Sequence, residues 1–392
     1  MKKKFTTLFI IILSLYLIVF KFNTSYTDSI ANLSNEEIVQ KIYSVCAGHS
    51  YKPTCYDEEI PKLLSEISME RVFKIAGIVQ VSDVSYSYCH DLGHKLSASE
   101  VSKNPREWKE VISRCPRGIC SNGCQHGAAQ ERFRNEVLTQ DQLIAAKIEL
   151  VDVCNLKKDW TGLEKSECIH GLGHLSVYLT GADVDKSLRV CNDINLRREE
   201  LDLCYDGAFM QIFQPQDPDD ISLVEKIKPK TKEETQKFCR QFPDLNKVNA
   251  CIRQAYPLYF QEIETSDGLI EYCAQSSPGL ATEKCQNMLF YVQAQRTNYN
   301  VQKLADLCNG MPDKIKGRCF GQIANAIIHG GSHLISQAVA YCSLASDGKK
   351  DICLETILEF APYNLPVGTK VFKQLCESFP SDWQRQCFRK NN

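Results

Sequence analysis

Cysteines recur along this chain at a nearly fixed interval, and that interval constrains the fold more than any other feature. The chain has 392 residues and 20 cysteines. Five of the cysteines follow one another at steps of 34 residues: Cys251, Cys285, Cys319, Cys353 and Cys387. Each has a partner cysteine shortly before it, and similar steps continue toward the N-terminus. A period of 20–50 residues is typical of proteins built from stacked structural units.

The sequence around each cysteine pair predicts two helices joined by a short loop. Between Cys273 and Cys285 the loop reads AQSSPGLATEK, which contains several turn-forming residues. After the second cysteine of a pair, apolar residues follow at helical spacing, as in Ile323, Ala324 and Ile327. We therefore predict an all-α solenoid, a superhelical array of about ten helical hairpins with a period near 34 residues, most of them with a disulfide inside the repeat.

The cysteine spacing also predicts which cysteines pair. Metal–thiolate sites usually contain CxxC pairs, and this sequence has none, so we favour disulfides. One unit lacks a first cysteine near Gly77 and the next has one too many, which leaves Cys120 to pair with Cys89. The predicted bonds are Cys46–Cys55, Cys89–Cys120, Cys115–Cys124, Cys154–Cys168, Cys191–Cys204, Cys239–Cys251, Cys273–Cys285, Cys308–Cys319, Cys342–Cys353 and Cys376–Cys387.

The N-terminus predicts export from the cytoplasm. Three lysines precede an apolar run over residues 5–20, which is the pattern of a signal segment. No small-residue cleavage motif follows it, so we expect residues 1–22 to be an uncleaved signal anchor, a transmembrane segment. The ectodomain would then be periplasmic or extracellular, where disulfides persist. The alternative is cleavage and secretion.

A break in the repeat divides the predicted array into two parts. The segment 214–235 carries three prolines and many charges, and we interpret it as a linker or insertion. It separates histidine- and glycine-rich helical repeats at 23–213 (units 1–5) from helical repeats at 236–392 (units 6–10). The net charge of −2 argues against nucleic acid as a partner.

Histidines are the second signal. Six of the eight occur in H-x-x-x-H pairs: His90/His94, His170/His174 and His329/His333. Aligned on the H-x-x-x-H strings, the units place His126 in one column with His90 and His170. Two imidazoles at i and i+4 share a helical face and can bind one metal ion. The candidate sets are His90, His94 and His126, or His126, His170 and His174.

A three-histidine site with an open position suits zinc, copper or iron. Possible additional ligands or bases are Asp91, Glu131, Asp206, His329 and His333. The alternative is that these histidines are structural, because glycines near them let helices approach closely and a buried imidazole can hydrogen-bond a neighbouring backbone. The sequence leaves both interpretations open, and it identifies no catalytic residue.

The 34-residue hairpins resemble tetratricopeptide repeats, and their cysteine pairs make them similar to the Sel1-like repeat proteins. The resemblance covers Ser34 to Asn392 and is one of architecture. The set positions of Trp, Leu-Gly, Tyr, Ala and Pro of the first family are not matched, nor is the glycine-rich pattern of the second, so the resemblance assigns no functional residue.

Two functions follow as expectations. The first is a membrane-anchored binding scaffold that takes a protein, peptide or glycan partner on the concave face of the array, as repeat solenoids do. The second is a metal-binding protein or a metal-dependent oxidase or hydroxylase, with a histidine-rich site in units 2–4.

Overall fold

The computed structural model of this chain describes residues 29–86, 89–120, 123–134, 137–156, 158–215, 218–346 and 348–390. The predicted signal anchor at residues 1–22 lies outside these residues. None of the helices that are described combines the length and apolar composition that crossing a bilayer requires.

The described residues form helices and contain no strand, as the all-α prediction requires. The α-helices are α1 (Asn35–Cys46), α2 (Lys52–Glu59), α3 (Met69–Ser82), α4 (His90–Lys103), α5 (Trp108–Arg114), α6 (Gly123–Phe133), α7 (Gln140–Val151), α8 (Gly162–Leu179), α9 (Val184–Asp193), α10 (Arg198–Phe213), α11 (Pro218–Val224), α12 (Lys232–Arg240), α13 (Leu245–Gln254), α14 (Ser266–Cys273), α15 (Leu280–Arg296), α16 (Val301–Asn309), α17 (Asp313–His329), α18 (Ile335–Tyr341), α19 (Lys350–Asn364), α20 (Lys370–Ser378) and α21 (Ser381–Lys390). Short 3-10 helices lie at Ile30–Asn32, Ile60–Ser65, Val84–Tyr86, Pro105–Glu107, Val153–Asn155, Tyr256–Tyr259, Glu262–Glu264, Ser332–Leu334 and Cys342–Leu344.

Ten disulfides join the cysteines in the same pairs that the spacing predicted. They leave no cysteine free, and every half-cystine is buried. Most join two helices across their connecting loop, with cysteines 9 to 14 residues apart. Cys89–Cys120 is the longer one, with a separation of 31 residues, and it ties the start of α4 to the loop before α6.

Side-chain caps set where several helices begin. At α1, the Ser34 hydroxyl accepts a hydrogen bond from the Glu37 amide, and the Glu37 carboxylate accepts one from the Ser34 amide, at 2.7 Å. Thr161 and Glu164 form the same reciprocal pair at the start of α8. Such caps satisfy amides that have no partner inside the helix. Pro257 has the opposite effect and prevents a helix from continuing: α13 ends at Gln254, and a 3-10 helix that contains Pro257 follows it.

A row of helices packs side by side in chain order. Helix α4 packs on α6, α6 on α8, α8 on α10 and α10 on α13, and the row continues through α15, α17 and α19. Helix α19 also packs on α8, which brings the end of the row back to its middle. The buried apolar side chains form one continuous cluster along these helices. The predicted linker at 214–235 contains α11 and contacts α10 through it.

Candidate metal centre

Five of the predicted histidines lie together, on three adjacent helices. His90 and His94 lie one turn apart on α4, His126 lies on α6, and His170 and His174 lie one turn apart on α8. The ring centroid of His126 lies 5.1 Å from that of His90 and 5.6 Å from that of His174. The imidazole of α6 therefore lies between the two histidine pairs. Four of the five are buried, with His90, His94 and His174 each 8% exposed, and His170 is partly exposed.

On or beside each helix that carries these histidines, a disulfide-bonded cysteine lies within two residues of a histidine. Cys89 immediately precedes His90, and Cys124 and Cys168 each lie two residues before a histidine, His126 and His170. The crosslinks therefore hold the backbone at the positions from which the imidazoles project.

Glycines bring these helices close enough for the rings to meet. A Cβ on Gly123 of α6 would lie 2.1 Å from the carbonyl oxygen of His90, and one on Gly207 of α10 would lie 1.9 Å from that of His170. A real Cβ does not approach an oxygen this closely, so a larger residue would push the helices apart. The glycine columns of the sequence thus have a specific packing role.

The closest contacts are between ring nitrogens. Nε2 of His94 lies 3.0 Å from Nε2 of His90, and Nδ1 of His126 lies 3.3 Å from the same His90 nitrogen. One ligand atom from each of these three histidines lies within 4.8 Å of the other two. A second close pair is formed by the Nε2 atoms of His170 and His174, which are 3.1 Å apart.

Burial favours the neutral form of four of the imidazoles, because it lowers their pKa values. It lowers the pKa of His94 and of His170 well below the usual value, and the neighbouring histidines lower both further. It also lowers the pKa of His126, and it lowers that of His174 to about 3, with His126 contributing. A neutral imidazole keeps one nitrogen lone pair, which is the form that binds a metal.

Hydrogen bonds outside the cluster orient two of the rings. His126 donates from Nε2 to the backbone carbonyl of Glu167 at 2.9 Å, which leaves the lone pair of Nδ1 facing His90. His94 is hydrogen-bonded to the Gln130 side chain. Metal-binding histidines almost always have such a partner on the other ring nitrogen.

The other predicted residues lie elsewhere. Glu131 pairs with Arg134 at 2.7 Å, and the two carboxylate oxygens of Asp206 each accept a hydrogen bond from Arg253 at 3.0 Å. Asp91 follows His90 on α4 and is not part of the three-ligand group.

The third histidine pair is separate from the five. Nε2 of His329 bonds to Asn364 at 2.9 Å, and His333 is exposed on the 3-10 helix that follows α17.

Sequence reasoning missed two residues beside the cluster. Glu167 lies three residues before His170, on the same face of α8, and burial raises the pKa of its carboxyl to about 8, with a smaller contribution from Glu164. Met210 of α10 has its sulfur 3.3 Å from Nε2 of His170. Helical spacing could have identified Glu167, and Met210 lies four residues after Asp206, the same spacing that separates the two histidines of each pair.

The histidines open onto a cavity of about 360 Å³. Its lining includes His90, His126, His170, His174 and Met210 from one side, and residues of α15, α17 and α19 from the other. A larger cavity of about 770 Å³ adjoins it, because both are lined by Leu163, Glu167, Tyr291 and His329.

Comparisons with known proteins add no relative to this picture: no protein-family model matches the chain, and no curated protein or solved structure was found that matches it.

Proposed function

We propose that this protein binds a transition-metal ion on His90, His94 and His126. The observation that carries the proposal is the contact of three buried ring nitrogens from α4 and α6, at 3.0 and 3.3 Å around His90. With metal–nitrogen bonds of about 2.0–2.1 Å, two nitrogens of a tetrahedral site lie about 3.3 Å apart. Two of the three nitrogen–nitrogen distances are therefore close to those of a tetrahedral metal site, and the third is within 4.8 Å.

The chemistry of the three ligands limits which metal ions can bind. Three neutral imidazoles without a thiolate suit zinc, copper or iron, and calcium or magnesium would require oxygen ligands. His90 and His126 line the cavity, so a fourth position on the metal would face space that a small molecule can enter. An open position of this kind is typical of catalytic sites. The oxidase or hydroxylase activity predicted from the sequence stays a prediction.

A purely structural role for these histidines explains the glycines and one N–H···N hydrogen bond between rings, but not the meeting of three ring nitrogens. A histidine packed for structure bonds to a backbone or carboxylate group, as His329 bonds to Asn364. The Nε2 atom of His90 instead faces ring nitrogens of two other histidines. This arrangement is favourable when a cation lies between the nitrogens.

Metal analysis of the purified, oxidised protein tests the proposal. We expect one tightly held zinc, copper or iron ion after dialysis, and its loss in His94→Gln. His49→Gln is the matched control, because His49 is exposed in the loop between α1 and α2. A protein that dialyses metal-free and melts at the same temperature with and without each of the three ions would refute the proposal.

We further propose that the hairpins form a helical-repeat array and that the protein acts outside the cytoplasm. The array would be closed by the contact of α19 with α8, instead of presenting an open concave face. Ten disulfides fit an oxidising compartment. Protease treatment of intact cells, followed by detection of the N-terminal segment, would separate an anchored ectodomain from a secreted one.

The scaffold function is a second candidate, favoured by the volume of the larger cavity. At about 770 Å³ it could hold a short peptide or a glycan unit, and Arg117, Glu164 and His333 give it polar contacts. Binding of such a ligand by protein stripped of metal, with an affinity unchanged in His94→Gln, would support the scaffold function over the metal-dependent one.

A further inference from the structure

A second group of potential ligands lies on the other side of His126. Nε2 of His170 lies 3.1 Å from Nε2 of His174 and 3.3 Å from the sulfur of Met210. The two histidines belong to α8 and the methionine to the adjacent helix α10. A metal bound to two nitrogens at about 2.0 Å and a sulfur at about 2.3 Å would hold its ligand atoms about 3.3–3.5 Å apart.

This group is a structural copy of the first. Gly123 on α6 lies against the His90 carbonyl, and Gly207 on α10 lies against the His170 carbonyl. The residue three positions after each glycine is the one that reaches the histidine pair of the preceding helix. In the first copy that residue is His126, and in the second it is Met210.

Hydrogen bonds orient the second group for ligation. His174 donates from Nδ1 to the Oε1 atom of Gln211 at 2.7 Å, because the carboxamide oxygen can only accept. The lone pair of His174 is therefore on Nε2, which faces His170. The ring of His170 is held by a hydrogen bond to the backbone of Leu203.

The thioether selects the metal. We propose that His170, His174 and Met210 form a site for Cu(I), next to the three-imidazole site, so that the chain binds two copper ions at one cavity. Thioether sulfur is a soft ligand that favours Cu(I), whereas zinc sites use Cys, His and carboxylate ligands. Two imidazoles and a thioether are all neutral, so the buried site would gain a single positive charge with Cu(I).

The second site rests on the proposed metal-binding function for its companion ion, but its own ligands are distinct. His90, His94 and Met210 are each used by one site only, so variants can separate the two. His126 stands between them, with its ring centroid 5.6 Å from that of His174.

Anaerobic titration with Cu(I) is the test. The oxidised full-length protein would compete with bicinchoninate for Cu(I), with ascorbate as the reductant because thiols would cleave the disulfides. We expect two Cu(I) per wild-type chain and one in either Met210→Leu or His94→Gln. X-ray absorption should show a copper–sulfur distance of about 2.3 Å in wild type and in His94→Gln, and no such distance in Met210→Leu.

Met288→Leu is the matched control, because Met288 lines the same cavity and belongs to neither ligand group. It should retain both ions and the sulfur signal. Unchanged stoichiometry and sulfur scattering in Met210→Leu would overturn the second site while leaving the proposed function intact. Loss of one ion in Met210→Leu but none in His94→Gln would refute the three-imidazole site and retain the second. Circular dichroism of each variant would show that it is folded.

Discussion

The hydroxyl of Tyr363 donates a hydrogen bond to the hydroxyl of Ser166 at 2.7 Å, across 197 residues of sequence. Tyr363 lies near the end of α19 and Ser166 near the start of α8. The ring of Tyr363 occupies the space beside Gly162, where an added Cβ would lie 2.2 Å from its Cδ2 atom. This contact closes the row of helices around the cavity that the histidines line.

Replacing Tyr363 by Ala should loosen that closure. The substitution removes the ring that fills the gap between α19 and α8, whereas Tyr363→Phe removes only a partly exposed hydrogen bond, which contributes about 1 kcal/mol or less. Hydrogen–deuterium exchange should therefore increase in both helices in the Ala variant and change little in the Phe variant. Equal exchange in wild type and Tyr363→Ala would mean that other contacts hold the two helices together.

Arg253 is the buried centre of an ionic network, and its loss should be costly. It contacts both carboxylate oxygens of Asp206 and also Asp202, which in turn pairs with Lys284 at 2.6 Å. Removing one partner of a buried pair leaves an uncompensated charge, typically at a cost of about 3–5 kcal/mol.

We expect Arg253→Met to lower the free energy of unfolding by about that amount, measured by denaturant titration. The double variant Arg253→Met with Asp206→Asn should recover part of the loss, because it also removes one of the stranded charges. An Arg253→Met protein as stable as wild type would show that solvent reaches Asp206.

The Cys89–Cys120 bond should matter to the proposed metal centre more than the other disulfides. Replacing both cysteines by Ala removes the crosslink beside His90 and costs about 4 kcal/mol in the chain-entropy model, against about 3 kcal/mol for the shorter Cys342–Cys353 loop. The two costs are similar, so stability alone would not distinguish the variants. Metal affinity would: we expect a loss in the first variant and wild-type affinity in the second. Equal metal affinities in the two variants would mean that Cys89–Cys120 stabilises the fold without a specific effect on the histidines.

Stability of the metal-free protein should fall in mild acid. Histidine in an unfolded chain titrates near pH 6.5, whereas burial lowers the pKa of His94 and brings that of His174 to about 3. Between these values the unfolded state binds more protons, so the stability is complete above about pH 7 and is lost as the pH falls below about 6.5.

Each such histidine contributes up to about 1.4 kcal/mol per pH unit in that window. Denaturant titrations of metal-free protein at pH 7.5 and 5.5 measure the difference. The double variant His94→Gln with His174→Gln should have a smaller difference, and an identical one would assign the acid sensitivity to other groups.

Much of this organisation could be predicted from local sequence. The cysteine period and the helical spacing of apolar residues depend on short stretches of chain, and they were sufficient for the helices and the disulfide pairing. The H-x-x-x-H spacing, and the alignment based on it, singled out histidines of which five lie together in the structure. The axial register of neighbouring helices, meaning how far one is displaced along the other, could not be predicted in this way. Aligned on their cysteines, Gly127 matches Gly207 and His126 matches Asp206.

In the structure Gly123 occupies the place of Gly207, so α6 is displaced by one turn relative to α10. Because of that displacement, His126 of α6 contacts the His90/His94 pair. On α10 the residue that contacts the His170/His174 pair is Met210, and Asp206 pairs with Arg253 instead. Only the contacts of a carbonyl oxygen with a glycine reveal it, and such contacts join residues that are distant in the sequence.

With the proposed metal-binding function, the half-cystines beside His90, His126 and His170 would make the protein's maturation sequential. Before oxidation, nothing covalent holds these imidazoles in register, and the newly made chain would compete poorly for intracellular zinc or copper. After oxidation, the ligands are held in place, so metal binding no longer carries the entropic cost of ordering them. The order of events, crosslinking first and ion capture second, would keep the apoprotein inert until it reaches the compartment in which its ion is to be collected.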